Sequence, residues 1–477
     1  MPSRGELLQA QRWERRRLLA AFRTGSVQED WRPGRGVVAS LVVAGMALGG
    51  SCLAGMLEPR LPQGWGDGRI IVVRESAERF VSREDALVPV PNLASARLLT
   101  SADAPVLTLD RALLHGVARE PAAGIAGAPD RVATPESLVR DAWLACAPSQ
   151  DASPGDVAGA TSAAAGAWNH PRLWVGAGAW GGEDSWPARE DGREVAALVT
   201  SGEYLALIVG SRRHELTGDR VDGVLRAVGL SRADAREVSP AWLALLEPGD
   251  PIAPFEVAGA GRPTAGVLGD LGVAAGDVVV VEGEPHLALA GGDLVALTPF
   301  ADAVYTAGPG GLLGRWDAEP AQIAQVPDGD PADLWPARWP QGLPDPVAEG
   351  EVPCVLLQTA SGGVRLMAAP AGEVTGADAV TLVPGTGALV RVEFAAETGS
   401  GGGGETGSGV GAETGEMLAY LDETGTAFPF ASGSGTDPGE AIRRLLGEDV
   451  EPVTVPPAWA DLLPVGVALS IQAAESR

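Results

Sequence analysis

The sequence predicts an α+β protein with a single N-terminal transmembrane helix followed by a large extracytoplasmic domain. That domain is predicted to hold about four repeats, each a β-hairpin plus a short helix. Three observations support this fold class. Residues 36–57 carry no charge, the sign of the net charge changes across them, and residues 239–249 (SPAWLALLEPG) resemble residues 456–466 (PPAWADLLPVG).

The uncharged segment has the length of a membrane span. At about 1.5 Å per residue, residues 36–57 cover a hydrocarbon core of roughly 30 Å. Gly45 and Gly49, and again Ser51 and Gly55, place small residues four positions apart, which lets another membrane helix approach closely. A cleaved signal peptide has a shorter apolar stretch and a shorter basic start. We therefore expect a retained anchor, with membrane-helix packing through these four residues.

Charge predicts the orientation of the anchor. Residues 1–35 contain eight arginines and four acidic residues, a net charge of +4, whereas the whole chain carries −27. Everything beyond the anchor therefore carries −31, and positive flanks stay cytoplasmic. The chain is predicted to be a single-pass protein of the cell inner (plasma) membrane, with its N-terminus cytoplasmic and its large domain extracytoplasmic.

Residues 7–22 (LLQAQRWERRRLLAAF) place apolar side chains at roughly helical spacing between arginines. This pattern predicts a basic amphipathic helix whose cytoplasmic basic face holds Arg12, Arg15, Arg16 and Arg17. Such a helix contacts anionic lipid or a partner subunit at the inner membrane surface. A purely topogenic role for the arginines is the alternative, and the sequence does not decide between them.

The recurring segments suggest how the outer domain is divided. Each Ala-Trp segment follows a short helical stretch, which itself follows a strand-turn-strand pattern, so a small unit is used about four times and must stack on its neighbours. After a cytoplasmic helix in 1–35 and the anchor in 36–57, the predicted parts are a first repeat (58–140), a linker with a Trp-rich segment (141–190), a second repeat (191–260), a central region and third repeat (261–395), a flexible Gly-rich insertion (396–416), and a last repeat with the C-terminus (417–477).

Two residue types have two possible roles each. Cys52 lies in the anchor, whereas Cys146 and Cys354 lie in the oxidising outer domain, where one disulfide is the most economical interpretation and two free thiols are the alternative. The four tryptophans at 168, 174, 180 and 186 either form an exposed row that stacks on cell-wall sugars or pack between sheets or subunits.

The sequence offers little for catalysis. It contains no Lys, which excludes a P-loop and a Schiff-base lysine. No GxSxG, HExxH or CxxC motif occurs, and the four histidines (His115, His170, His214, His286) are scattered. We therefore predict no catalytic residue, no metal site, no cofactor and no nucleic-acid partner.

Three stretches of the sequence resemble one known family. Residues 92–98 (NLASARL), 124–130 (GIAGAPD) and 143–146 (WLAC), in order after a basic helix and one span, are similar to the EccB core membrane subunit of the actinobacterial type VII (ESX) secretion system. The resemblance extends along the whole chain, and the Gly-rich insertion at 396–416 departs from the usual pattern.

The resemblance implies a structural subunit that scaffolds the extracytoplasmic part of a secretion complex. It also implies that the extracytoplasmic domain is elongated, with its four repeats around a central β region. It further implies a Cys146–Cys354 disulfide and partnership with the EccC ATPase, EccD and EccE. Membrane lipid and other copies of the same chain are the remaining partners that we expect. Some members of the family are labelled ATPases, but no motif here supports ATP hydrolysis. A membrane-anchored module that binds peptidoglycan is the alternative function, and an ATP hydrolase is the third.

Overall fold

The computed structural model describes residues 4–24, 39–40, 42–44, 46, 61–101, 103–148, 171–180, 193–331, 334–374, 379–395, 414–432 and 437–476. The chain divides into two compact units, Met1–Gln63 and Gly64–Arg477. Each unit is considered separately below.

The first unit contains helix α1 (Arg4–Thr24), which lies where the sequence predicts the basic amphipathic helix. Within the described part of the chain, no helix combines the length and apolar character needed to cross a membrane. Of the predicted anchor, only residues 39, 40, 42–44 and 46 are described. The predicted packing residues all lie outside the described residues: Gly45, Gly49, Ser51 and Gly55.

The second unit begins with a module built on a three-stranded meander. Its elements are β1 (Asp67–Val73), β2 (Arg79–Arg83), β3 (Ala86–Val90), α2 (Leu93–Leu98), β4 (Val106–Leu109), a 3-10 turn (Arg111–Leu114) and β5 (Ala118–Arg119). The first three strands are antiparallel, whereas β4 runs parallel to β1 and β5 runs parallel to β3. The sheet order is therefore β4-β1-β2-β3-β5.

The same order of elements occurs in two further modules in the middle of the chain. The second module contains β8 (Val195–Ser201), β9 (Tyr204–Val209), β10 (Arg212–Glu215), α3 (Val221–Ala227), β11 (Arg236–Glu237), α4 (Pro240–Leu243) and β12 (Glu247–Pro248). After helix α5 (Gly266–Asp270), the third contains β13 (Val278–Val281), β14 (Glu284–Ala288), β15 (Leu294–Ala296), α6 (Pro299–Ala307), β16 (Arg315–Ala318) and α7 (Pro320–Ile323). Strand β17 (Asp345–Pro346) extends the second sheet beside β8.

The fourth module surrounds the predicted Gly-rich insertion in sequence. It contains β21 (Ala388–Ala395), β22 (Thr414–Leu421), β23 (Ala427–Pro429), α8 (Pro438–Leu446), β24 (Val453–Val455) and α9 (Pro457–Ala460), and is followed by α10 (Ile471–Glu475). In the third and fourth modules, parallel bridges such as Phe430–Leu469 stand where the first module has its fifth strand. The repeating unit is thus larger than the predicted hairpin and helix, because short parallel strands complete both edges.

A central sheet joins the modules. Its order is β19-β18-β6-β7-β20, with β6 (Trp143–Cys146), β7 (Arg172–Val175), β18 (Glu351–Gln358), β19 (Gly363–Pro370) and β20 (Val380–Thr381). The segment 141–190, predicted as a linker, supplies β6 and β7 to this sheet. All four residues of β6 are buried, as expected for a strand covered on both faces.

The modules pair through their helices. Helix α2 of the first module packs against α8 of the fourth, and α3 of the second packs against α6 of the third. The first and fourth modules share one hydrophobic core, and the second and third share another. A third core surrounds the central sheet and includes residues of the second and fourth modules. Each of these four helices therefore packs on a helix from another module, as is required of stacked repeats that cannot bury their apolar faces alone.

Candidate functional site

The described side chains offer no candidate metal centre. Within the described ranges, no group of three or more His, Cys, Asp or Glu residues is placed to hold a metal ion. His115 is exposed, His286 is half-buried and His214 is buried, and the three lie on different parts of the chain. His170 falls outside the described residues. The candidate functional features are therefore the joints between modules and the surface of α1.

The first joint is a disulfide in the central sheet. Cys146 on β6 lies directly opposite Cys354 on β18, and the two are bonded across 208 residues of sequence. Ala147 N–H donates to the Pro353 carbonyl in the adjacent position, so the cystine occupies a position between ladder hydrogen bonds. Cys146 is 1% exposed and Cys354 is 0% exposed. The structure thus favours the disulfide over two free thiols.

Two equivalent tryptophans complete the core around this disulfide. Trp242 on α4 and Trp459 on α9 come from the two similar segments, and both are fully buried in the hydrophobic core that contains the cystine. The Trp242 indole N–H donates to the Ala145 carbonyl, beside Cys146, at 3.1 Å. Trp459 Nε1 is also buried but has no hydrogen-bond partner among the described residues. The second and fourth modules therefore both insert a tryptophan into the central core.

The residues of the first two resembling stretches contact each other. The Asn92 side chain caps α2 by accepting from Ser95 N–H at 2.9 Å, and its amide donates to the Ile125 carbonyl at 2.8 Å. Ser95 Oγ in turn accepts from Ile125 N–H at 2.8 Å. Gly124 lies so close to this cap that a Cβ there would be 2.7 Å from Pro91 and 2.8 Å from Ser95. These residues fix the loop 124–130 against the start of α2.

The C-terminal end of α2 forms the second joint. Arg97 Nη1 donates to the Leu445 carbonyl on α8 at 3.4 Å, and Arg444 Nη1 donates to the Leu98 carbonyl on α2 at 3.0 Å. Burial lowers the pKa of Arg97 from its ordinary value. Arg444 is also held by Glu440, whose carboxylate accepts from its Nε at 2.9 Å. Each helix therefore ends against an arginine of the other, and cations are favourable at that end of a helix.

A buried tyrosine adds a third contact between the first and fourth modules. Tyr420 on β22 is 1% exposed, and its hydroxyl accepts a hydrogen bond from Ala133 N–H at 2.8 Å. Burial raises the pKa of Tyr420 to about 12. Its hydroxyl is therefore neutral at any physiological pH, and the contact is a neutral hydrogen bond in a hydrophobic core.

The sequence did not single out Arg97, Arg444 or Tyr420 as joint residues, although it contained one signal. The motif Arg-Leu-Leu ends both helices, at 97–99 and at 444–446. The repetition marks equivalent positions in two modules. It does not indicate that those two modules touch.

The tryptophan-rich segment is partly described. Trp174 on β7 is 5% exposed, and Trp180 is half-buried, whereas Trp168 and Trp186 lie outside the described residues. The two described side chains pack into or against the central core. They therefore do not form part of an exposed row suited to stacking on sugars.

The predicted basic face lies on α1, and its members point in different directions. Arg12, Arg15, Arg16 and Arg17 are all exposed. Since successive helix residues are turned by about 100°, the last three are spread over about 200° of the helix circumference. The Arg17 guanidinium lies over the Trp13 ring, 5.1 Å from its centroid. The helix thus presents arginines on several sides.

Comparison with known proteins identifies relatives of the whole chain. The model of the family "type VII secretion system ESX-1, transport TM domain B" matches residues 3–477. Two Mycobacterium tuberculosis proteins, from strains CDC 1551 / Oshkosh and ATCC 25618 / H37Rv, are named ESX-5 secretion system ATPase EccB5. Each is 26% identical over 496 residues, which cover 95% of this chain and 89% of the relative.

Solved structures share the fold. A chain of the periplasmic assembly from the ESX-5 inner membrane complex has a TM-score of 0.58 and 23% identity, covering 87% of this chain and 98% of its own length. A chain of the intact ESX-5 inner membrane complex gives 0.58 and 22%, covering 100% and 95%. The EccB3 dimer from the ESX-3 core complex gives 0.57 and 20%, covering 86% and 100%. Because the family model matches residues 3–477, this chain belongs to the EccB family of type VII secretion proteins.

Proposed function

We propose that this chain is a structural, membrane-anchored subunit that scaffolds the extracytoplasmic part of a type VII secretion complex. The observation that carries the proposal is the pairing of the modules. Helix α2 packs on α8, α3 packs on α6, and the disulfide-centred core lies between residues of the second and fourth modules. These contacts make Gly64–Arg477 one compact unit, which a scaffold requires.

The proposed topology and partners follow from the sequence and from the relatives. Residues 36–57 would cross the membrane once, contacting lipid, with the basic N-terminus inside. We propose the EccC ATPase, EccD and EccE as partners, together with further copies of this chain. A solved relative comes from an intact ESX-5 inner membrane complex, and another is a dimer, which supports both parts of this proposal.

The proposed function does not include ATP hydrolysis, although two relatives carry ATPase in their names. Phosphate binding through a P-loop requires a lysine, and this chain contains none. Purified full-length protein should therefore show no ATP turnover above that of a buffer control. Turnover that a single point substitution removes would overturn this part of the proposal.

The main test is assembly in the native membrane. The membrane would be solubilised in mild detergent and a C-terminally tagged copy recovered with its partners. We expect a large complex that contains a multidomain ATPase and a protein with many membrane spans. Recovery of only a monomer or dimer under gentle conditions would contradict the proposal.

A truncated chain separates scaffolding from energy supply. In cells that make only residues 1–63 of this chain, protein export should be abolished. ATP hydrolysis by the partner ATPase should continue in the same cells. Preserved export would contradict the scaffold. Cosedimentation of the full-length protein with purified cell wall tests the peptidoglycan-binding alternative, because a pure scaffold should remain in the supernatant.

A further inference from the structure

Helix α1 has an exposed apolar side. With about 100° between successive residues, five large apolar side chains project within a sector of about 120°. They are Leu7, Leu8, Leu18, Leu19 and Phe22, which are 54%, 53%, 62%, 62% and 91% exposed. Large apolar side chains gathered on one side of a helix and left exposed mark a surface that another apolar phase covers.

Most of the charged residues of α1 project outside this stripe. Arg12, Arg16 and Arg23 project from the sector beside Leu19, within about 60° of it. Arg4 and Arg15 project within the stripe, where their long stems can lie along apolar surface while the guanidinium groups reach the aqueous edge. Glu14 projects about 20° beyond Leu7, at the other edge of the stripe. Glu6 projects from the opposite side of the helix.

The side away from the stripe has a different character. Trp13 projects about 120° beyond Leu19, and the guanidinium of Arg17 stacks over it at 5.1 Å. Gln9 projects from the same side and is exposed. The helix therefore has one apolar side with arginines along its edge and one polar side that carries a single stacked aromatic ring.

We infer that α1 lies on an anionic membrane surface, with the leucine stripe toward the lipid and the Trp13–Arg17 stack toward the aqueous phase. Charge complementarity supports this occupant, since the helix carries six arginines and two glutamates. Its last residue, Thr24, is 12 positions before the uncharged segment 36–57. The inference rests on the proposed anchoring of that segment, which would hold α1 close to the bilayer.

The test measures the depth of single nitroxide labels in the full-length chain, reconstituted in nanodiscs with anionic lipid. Labels are placed by Leu18→Cys and Phe22→Cys on the stripe, and by Gln9→Cys and Trp13→Cys on the other side. All four are made in a Cys52→Ser background. Accessibility to oxygen, which concentrates in lipid, is compared with accessibility to a water-soluble nickel complex.

We expect stripe labels to be several-fold more accessible to oxygen than to nickel, and control labels to show the reverse. In neutral nanodiscs, or at high salt, the difference should shrink because the arginines lose their attraction to the surface. Equal nickel accessibility on both sides would overturn the inference. The inference would also be overturned if the stripe labels were inaccessible to both oxygen and nickel at every lipid charge. That result would indicate that a second copy of the chain covers the stripe. A chain that does not enter the nanodisc would contradict the proposed anchor instead.

Discussion

Arg97 and Arg444 hold each other's helices. Each donates from its guanidinium to the carbonyl of the residue that follows the other: Arg97 to Leu445, and Arg444 to Leu98. The two arginines occupy the same place in an Arg-Leu-Leu motif of the first and last modules. The contact is therefore reciprocal, as at an interface between two copies of one unit, although both units belong to a single chain.

This reciprocal contact predicts different costs for neighbouring arginines. Arg444→Ala removes a charged donor from the Leu98 carbonyl and should lower the free energy of unfolding by about 1–3 kcal/mol. Arg443 also pairs with Glu440 but is exposed, so Arg443→Ala should leave the urea midpoint almost unchanged. Urea unfolding of the full-length protein in mild detergent measures both. Equal midpoints for the two variants would show that the helix contact contributes nothing.

The two core tryptophans should respond unequally to loss of the indole nitrogen. Trp242 donates to the Ala145 carbonyl, whereas buried Trp459 Nε1 has no partner among the described residues. Both Trp→Phe substitutions remove similar volume, but only Trp242→Phe also removes a buried hydrogen bond. We expect Trp242→Phe to cost about 1–2 kcal/mol more than Trp459→Phe in urea unfolding. A larger loss of unfolding free energy for Trp459→Phe than for Trp242→Phe would contradict this prediction.

Alanine substitutions at Gly124 and Gly116 distinguish the effect of close packing on stability from the effect of backbone strain. Gly124 and Gly116 both have positive φ, at 126° and 85°, so alanine is strained at either position. Only at Gly124 would the new Cβ also meet neighbours, at 2.7 Å from Pro91 and 2.8 Å from Ser95. Gly124→Ala should therefore lower the thermal midpoint more than Gly116→Ala. Similar shifts for both would mean that the loop moves away from α2 at little cost.

Removal of the disulfide should destabilise the unit Gly64–Arg477 without changing its fold. The bond closes a loop of 208 residues. Restriction of the unfolded chain by such a loop is worth about 5 kcal/mol in the entropy model. The double variant Cys146→Ala/Cys354→Ala should lower the urea midpoint while near-ultraviolet circular dichroism keeps its native form. Cys52→Ala is the control and should match the wild type; an unchanged midpoint in the double variant would refute the prediction.

Stability should decrease in acid because of one buried histidine. Burial lowers the pKa of His214 below its ordinary value of 6.5, against the opposing effects of its hydrogen bond to the Asp250 carbonyl and of the Asp250 and Glu194 charges, with Arg212 adding to the decrease. The unfolded chain therefore takes up a proton more readily than the folded one. The stability linked to His214 is complete above about pH 6.5 and is lost as the pH falls below it.

The substitution His214→Asn tests this dependence, because its amide can still donate to the Asp250 carbonyl but does not titrate. The decrease of the urea midpoint between about pH 7 and pH 5 should be smaller in this variant than in the wild type. His115→Asn, at an exposed position, should keep the wild-type dependence. An identical pH profile for all three proteins would place the acid sensitivity elsewhere.

The sequence predicted the features that depend on local pattern. The two Ala-Trp segments lie at equivalent places in the second and fourth modules, and Cys146 and Cys354 indicated a bond that the structure contains. The position of α1 followed from helical periodicity. In each case a few adjacent residues, or a simple count, carried the information.

Features that depend on distant contacts were not predicted. Strands β5, β11 and β12 have two residues each, and nothing local marks them because they exist only through parallel pairing with the meander. Strands β6 and β7 flank an Ala/Gly/Ser-rich stretch that indicated a linker, and their short apolar runs do not specify a partner. For the pairing of the first module with the fourth, the repeated Arg-Leu-Leu motif was the one signal that we found in the sequence.

The contact between the first and last modules sets a condition on the timing of folding. The hydrogen bond from Arg444 to the Leu98 carbonyl spans 346 residues, so the first module to leave the ribosome cannot cover α2 until almost the whole chain has followed. The second and third modules, whose helices are much closer in sequence, can associate earlier, since short loops close at lower entropic cost. In the proposed topology, a chain that stalls during translocation would therefore expose the apolar face of α2 to proteases that clear incomplete proteins.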